Sequence, residues 1–437
     1  MRARHPAALS ARMLNLYQSK LRLRADPSRV VLRPFHLAWN ADVPKERMRK
    51  LVDEVRALDM RAARTELALV YHDFESRHLQ TQNVFMKRYE EVEADLQLDG
   101  RRIREEKKLL IGAYFCHEYS YAAAALMNPS VTLHPDQGEM SNGFVRILLS
   151  MRAVGEGHIS SIVFREGVVT GDRKFELVPQ PRCAMSVNTV SRESQNNSNI
   201  VTVHRNPDSS LSGTVIFPVT DAQRNGLEDL RLTRFEHGDG SIEWIGTYTA
   251  YSGREIRSEL LRTSDFCRFD LVPLEGSAAR NKGLALFPRA LGGRYLMIGR
   301  HDGQNLFLID SDDLGNWGEG QLLLEPRYPW ELIQIGNCGP PIEIDEGWLL
   351  LTHGVGAMRK YSIGAVLLDK TDPSRVLGRT SQPFLSPADE DREGYVPNVV
   401  YSCGGMRVGD DLFLPYGVAD SSVAFAFVAI KDLLEAM

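Results

Sequence analysis

Gly-Gly-Arg-Tyr-Leu-Met-Ile (292–298), Asp-Glu-Gly-Trp-Leu-Leu-Leu (345–351) and Val-Gly-Asp-Asp-Leu-Phe-Leu (408–414) each set a polar turn before an apolar strand. The three recur about sixty residues apart, the spacing of a supersecondary unit that must stack on its neighbours to bury its apolar face. Around them lie further short apolar runs, among them Phe144–Leu149, Ile159–Phe164, Thr214–Phe217, Trp244–Tyr248 and Leu306–Ile309, separated by Gly, Asp, Asn and Pro. Helical periodicity nearly vanishes from Asn128-Pro129 until Ile430–Met437. The region is too long for one sandwich, and we read residues 126–437 as an all-β five-bladed β-propeller, whose inner strands gather polar side chains at one end of a central channel.

Upstream the period changes. Met48, Leu51, Val52, Val55 and Leu58 recur at steps of three and four, as do Ala63, Leu67, Val70 and Phe74, and then Phe85, Tyr89, Val92 and Leu96. Residues 44–125 therefore read as an added N-terminal helical segment, broken at Asp99-Gly100 and ending in a buried helix over Tyr114–Leu126. Its charged faces suit solvent, a lid over the channel or a homo-oligomer contact. Residues 1–24 read as a basic tail with some helical potential. Arg29–Phe35, within a 25–40 segment, reads as a strand joining the propeller by pairing with its last blade.

The chain has 437 residues, 43% hydrophobic and 25% charged, with a formal net charge of -5. That balance excludes a general nucleic-acid or anionic-membrane affinity and favours a small-molecule ligand. Five scattered cysteines, with no metal-type spacing to histidine, suit free thiols in the cytoplasm, and no apolar run reaches membrane-spanning length. No cofactor or metal is implied.

Chemistry concentrates in polar clusters within this apolar background. Asn225-Gly-Leu-Glu-Asp-Leu-Arg231 places two acids beside a cation at a strand start. Alternation along a strand puts Asp229 and Arg231 on one face and Glu228 on the other, in a structural role. On its own the stretch reads as a surface ion pair. Arg152, Arg280-Asn-Lys282, Arg300-His-Asp302 with Asn305, His353, Tyr361, Glu393, Asn398 and Asp420 join it. Together the cations Arg152, Lys282 and His353 suit an anion such as phosphate, and the acids Asp229, Asp302 and Asp420 suit sugar hydroxyls.

Asn225–Thr233, Asn281–Pro288, Gly347–Gly354, Tyr361–Asp369, Pro373–Gly378, Glu393–Gly404 and Tyr416–Asp420, in that order, resemble glycoside hydrolase family 130, the β-mannoside phosphorylases and related β-mannosidases. The resemblance covers about residues 126–437; the helical segment is an elaboration on the shorter members. It implies a five-bladed propeller and an inverting β-mannoside phosphorylase, in which inorganic phosphate attacks the anomeric carbon of a manno-oligosaccharide and α-mannose 1-phosphate leaves. It makes Asp229 the acid, with Arg152, Lys282, His353 and Tyr361 on phosphate, and Asn128, Arg231, Asp302 and Asp420 on sugar. A phosphate nucleophile needs cations to position it more than it needs a base. Two alternatives stay open: a hydrolase of the same fold with Glu393 as base, and a non-catalytic carbohydrate-binding propeller.

Overall fold

The computed structural model describes residues 14–35, 45–99, 102–138, 140–141, 143–195 and 198–437. Residues 1–13 of the expected tail and 36–40 of the expected joining strand lie outside them.

The helical segment comprises α1 (Lys45–Ala57), α2 (Met60–Phe74), α3 (Thr81–Leu96) and α4 (Glu105–Tyr114). Most of the periodic residues expected to face inward do so: Val52, Val55, Ala63, Tyr89, Val92 and Leu96 share one core with Ile103, Leu110, Ile111 and Phe115, whereas Phe74 at the end of α2 is exposed. Asp59 caps α2 by accepting from the Ala62 N–H at 2.7 Å. The close approach of α3 and α4 requires glycine, because a Cβ at Gly112 would stand 1.9 Å from the Phe85 carbonyl oxygen.

Three expectations at the edges of this segment fail. Tyr114–Leu126 holds no helix beyond the end of α4; Cys116–Ser120 is a strand paired antiparallel with Val30–Pro34, and the next strand starts at Ala125. A short aromatic and Ala-rich run carries no periodicity to tell helix from strand, and pairing across the sheet decides it. The strand near Arg29–Phe35 consequently does not pair with the last strands of the chain. That place belongs to Tyr17–Gln18 and Leu23–Arg24, inside the stretch read as a tail, which pair antiparallel with Ser422–Ala429. Leu14 and Leu16 pack on one β core and Leu21 and Leu23 on another, a two-residue alternation visible in the sequence.

From Ala125 onward the fold is mostly β, in five antiparallel groups. The first holds Ala125–Leu133, Phe144–Val154, Ser160–Thr170 and Phe175–Leu177. The second runs Gly226–Glu236, Ile242–Tyr251, Ile256–Thr263 and Arg268–Pro273 and adds Ser198–His204 and Asn188–Gln195 at its outer edge. Ala285–Leu286, Tyr295–Gly299, Leu306–Ser311 and Gln321–Leu324 make the third. Gln334–Asn337, Gly347–Val355, Tyr361–Leu368 and Val376–Arg379 make the fourth, with Ile342–Ile344 also on its second strand. The fifth is built on Asp411–Val418 and Ser422–Ala429, with Val400–Tyr401 and Met406–Val408. A short α5 (Ile430–Glu435) closes the chain.

Each group touches the next. A bridge joins Ser160 to Gly226, the Thr247 hydroxyl donates to the Leu284 carbonyl, Ile335 N–H donates to the Gln304 carbonyl at 3.0 Å, and Tyr361 N–H to the Asn398 carbonyl at 3.0 Å. The fifth group returns to the first, where Cys403 N–H donates to the Pro129 carbonyl at 2.8 Å and Leu126 N–H to the Ser421 carbonyl at 3.3 Å. Polar side chains from different groups are thereby brought together. Among the described residues, no helix is long and apolar enough to cross a membrane.

Candidate active site

Two strands bulge where they enter the site. Ala125–Leu133 shifts register between Met127 and Ser130, and Gly226–Glu236 between Glu228 and Arg231. The extra residues, Asn128 (φ 50°) and Asp229 (φ 58°), adopt the left-handed conformation that Asn and Asp tolerate better than other side chains. Their side chains then meet: Asn128 Nδ2 donates to Asp229 Oδ1 at 2.8 Å. Ala419 and Asp420 (φ 50° and 48°) form a third left-handed point at the end of Asp411–Val418.

A cavity of about 200 Å³ opens between these points, lined by Asn128, Arg152, Asp229, Arg231, Lys282, His353, Tyr361 and Asp420, all singled out from the sequence, and by Arg300, Gln334, Asn337, Arg359 and Tyr401. Asp302 and Glu393 are outside this lining. Asp302 is exposed and caps a turn, accepting from the N–H groups of Gln304 and Asn305 at 2.8 Å each and from Asn305 Nδ2 at 2.6 Å. Glu393 is exposed on the segment between Asp389–Asp391 and Val400–Tyr401.

The bulge overturns the alternation expected of the two acids. It counts Asp229 as an insertion, so Glu228 no longer turns away: its buried carboxylate receives Arg152 Nη2 at 2.7 Å on one oxygen and Lys282 Nζ at 2.7 Å on the other. Arg152 also stands 3.5 Å from Asp229 Oδ1 and donates through Nε to Ser160 Oγ at 2.8 Å. Glu228 thus fixes the two cations beside Asp229.

Arg231, 2% exposed, is held by neutral oxygens: Asn337 Oδ1 at 3.2 Å, the Asp229 carbonyl at 3.1 Å and the Tyr401 hydroxyl at 2.5 Å. Asn337 Nδ2 donates in turn to the Gly283 carbonyl at 2.5 Å, tying three of the groups together. Arg300 forms no ion pair among the described residues, and its buried Nη1 has no hydrogen-bond partner. A desolvated guanidinium with an unused donor at a cavity wall is suited to receive an anion.

Charge sets the proton affinities. Burial raises the Asp229 carboxyl, but Arg152, Arg231 and Lys282 outweigh it and hold it below the usual aspartate range. Asp420 goes the other way: burial and the neighbouring Asp229 charge push it up to about 6. In the free cavity His353 is not the cation expected of it. Burial, with Arg300 and Arg231 nearby, drives its pKa well below the ordinary imidazole value. Nδ1 lies 3.1 Å from the Asn337 carbonyl oxygen and must carry the proton to make that bond, which leaves Nε2 as an acceptor. The ring stacks on Tyr361 at 5.8 Å and meets the edge of Tyr401 at 4.8 Å. Gly336 leaves room for it, since a Cβ there would stand 2.6 Å from Nε2.

Arg359, Asn337 and Tyr401 were missed by sequence reasoning, and Arg300 was noted without a role. A signal for Arg359 exists: Arg152-Ala-Val-Gly and His353-Gly-Val-Gly open equivalent hairpin turns, and Arg359 stands six residues after His353 as His158 does after Arg152. Among the described residues no His, Cys, Asp and Glu side chains gather as a metal site.

Comparison with known proteins gives a consistent set. The glycoside hydrolase family 130 model, described as β-1,4-mannooligosaccharide phosphorylase, matches residues 183–437. A 1,2-β-oligomannan phosphorylase of Thermoanaerobacter sp. (strain X514) is 39% identical over 230 residues, 51% of this chain and 75% of that protein. A β-1,2-mannobiose phosphorylase of Listeria innocua serovar 6a is 33% identical over 50% of this chain and 62% of its own length. Among solved structures, a glycosyl hydrolase from Bacteroides ovatus aligns over 72% of this chain and 86% of its own, at 20% identity and a TM-score of 0.50, a likeness of fold.

Proposed function

The chain belongs to glycoside hydrolase family 130, and from that premise we propose that it is an inverting β-mannoside phosphorylase built on a five-bladed β-propeller spanning residues 126–437. We take the five groups as its blades, the first two of them continuous in one twelve-stranded sheet, and the contacts from the fifth group back to the first support a closed ring. The observation that carries the reading is the charge of the cavity. Five cations, Arg152, Arg231, Lys282, Arg300 and Arg359, meet three carboxylates, Asp229, Asp420 and the adjoining Glu228. The excess of two positive charges matches a phosphate dianion.

Phosphate is held by Arg152, Lys282 and Arg300, with the Tyr361 hydroxyl beside them. Neutral His353 accepts at Nε2 from the phosphate O–H, which orients the anion rather than attracting it. The mannosyl unit lies over Asp229 between Asn128, Arg231 and Asp420. A phosphate oxygen attacks the anomeric carbon, the glycosidic bond breaks, and the leaving oxygen takes a proton that originates at Asp229. The free cavity holds that carboxyl too acidic to be protonated. A bound dianion cancels much of the cationic field responsible and raises its proton affinity, so the acid is charged with its proton when the nucleophile arrives.

Hydrolysis with Glu393 as base is less well supported, because that carboxylate is exposed and outside the cavity lining. The similarity to 1,2-β-oligomannan and β-1,2-mannobiose phosphorylases favours a β-1,2 linkage. The test is incubation with β-1,2- and β-1,4-linked mannobiose, with and without phosphate. We expect α-mannose 1-phosphate to form only with phosphate, and faster from the β-1,2 sugar. Free mannose released at the same rate without phosphate would overturn the reading.

A further inference from the structure

A second cavity, of about 190 Å³, lies between the helical segment and the β body. One wall is Leu32, Arg33 and Pro34 of the strand Val30–Pro34; the facing wall is Asn83, Val84, Lys87 and Arg88 of α3. Two of its cations, Arg33 and Lys87, form no ion pair among the described residues. Arg33 lays its guanidinium over the ring of Phe217 at 4.2 Å and over Tyr119 at 5.4 Å, and its side chain makes no hydrogen bond or ion pair among the described residues. Burial lowers its pKa, the mark of a cation held away from water without a counter-charge. Lys87 donates to the neutral Asn188 Oδ1 at 3.1 Å and pairs with no acid among the described residues.

Of the acids in and beside the cleft, Glu91 and Glu118 hold cations, and Asp208 accepts from the Gln80 carboxamide. Glu91 pairs with Arg88 at 2.8 Å, and Glu118 pairs with Arg77 at 2.9 Å and His78 at 2.7 Å. The cleft therefore presents two uncompensated cations, one on each wall, beside the Asn83 carboxamide and an apolar floor of Leu79, Ala184 and Met185. An arginine prearranged on two aromatic rings and a lysine on the facing wall are suited to hold a phosphate monoester.

We propose that this seam is a second anion site, binding a phosphate group, either inorganic phosphate or a sugar phosphate, between the helical segment and the β body. The bound group joins Arg33 to Lys87 and clamps the two parts together. The site is separate from the active-site cavity and does not depend on the activity proposed for it.

Equilibrium dialysis of the full chain against labelled phosphate tests it. Two bound phosphates per chain are expected, one weakened roughly tenfold or more by Lys87→Glu and the other by Lys282→Ala. Lys87 is exposed, so its charge reversal leaves the fold intact, and Arg33→Gln repeats the test from the other wall. Unlabelled α-mannose 1-phosphate that displaces the Lys87-dependent phosphate at lower concentration than phosphate itself identifies a sugar phosphate as ligand; weaker displacement identifies inorganic phosphate. Unchanged binding in both Lys87→Glu and Arg33→Gln would overturn the proposal. A site lost with Lys87→Glu but none with Lys282→Ala would uphold it while contradicting the phosphate site proposed in the active-site cavity.

Discussion

Two hairpins of the β body carry one side chain each to the same cavity from equivalent positions, and their surroundings give those side chains opposite electrical characters. Arg152 stands three residues before Gly155 on Phe144–Val154, and His353 three residues before Gly356 on Gly347–Val355. Both turns close alike, Gly155 N–H donating to the Ile159 carbonyl at 3.1 Å and Gly356 N–H to the Lys360 carbonyl at 3.0 Å. Burial opposes the charge on Arg152, yet Asp229, Glu228 and Asp420 outweigh it and raise the pKa. His353 is buried too, but its neighbours Arg300 and Arg231 are cations, and its pKa falls. Backbone position decides which side chain reaches the cavity; the charges around it decide what that side chain can do there.

The sharpest way to break this comparison is Arg152→Ala. It strips the counter-charge from buried Glu228 and from Asp229, and removing one member of a buried ion pair typically costs about 3–5 kcal/mol. We expect that loss in denaturant unfolding, together with loss of turnover. His353→Gln should be milder, because neither side chain is charged. Losing one acceptor to phosphate predicts a KM for phosphate raised roughly 10- to 100-fold, with kcat and unfolding stability little changed. An unchanged KM for phosphate would contradict that role.

The smallest effect tests the acid wall. Asp420 has its folded pKa raised to about 6 against a model value of 3.8, so the folded chain binds the proton more tightly than the unfolded one and stability falls as pH rises through that window. Asp420→Asn should therefore unfold less readily than the parent above pH 6, by about 1–3 kcal/mol, and lose that advantage below pH 4. Its turnover should drop, since the sugar loses a charged acceptor. An advantage that persists unchanged at low pH would contradict the assignment.

How much of this was legible in the sequence varies along the chain. The repeated turn-and-strand texture carried the β architecture, and motif order carried most of the cavity, because these depend on local pattern. Glu228 was misjudged because strict alternation fails at a bulge, and a single extra residue is invisible in a stretch of otherwise ordinary strand composition. Asp302 was drawn in by its charge, although its oxygens serve the turn at Gln304 and Asn305. Asn337 and Tyr401 escaped notice because their value lies in holding Arg231 across groups far apart in sequence. The short strands at Tyr17–Gln18 and Leu23–Arg24 depend likewise on a distant partner, Ser422–Ala429.

If phosphate, by neutralising the cations around Asp229, brings the acid its proton, binding of the anion takes up protons at that carboxyl. Calorimetric titration of phosphate into the protein, at one pH in buffers of different ionisation enthalpy, counts the protons taken up on binding. Comparison with Asp229→Asn cancels the contribution of phosphate itself. The account predicts greater proton uptake by the parent protein than by the variant; equal uptake, with phosphate bound to both, would contradict it.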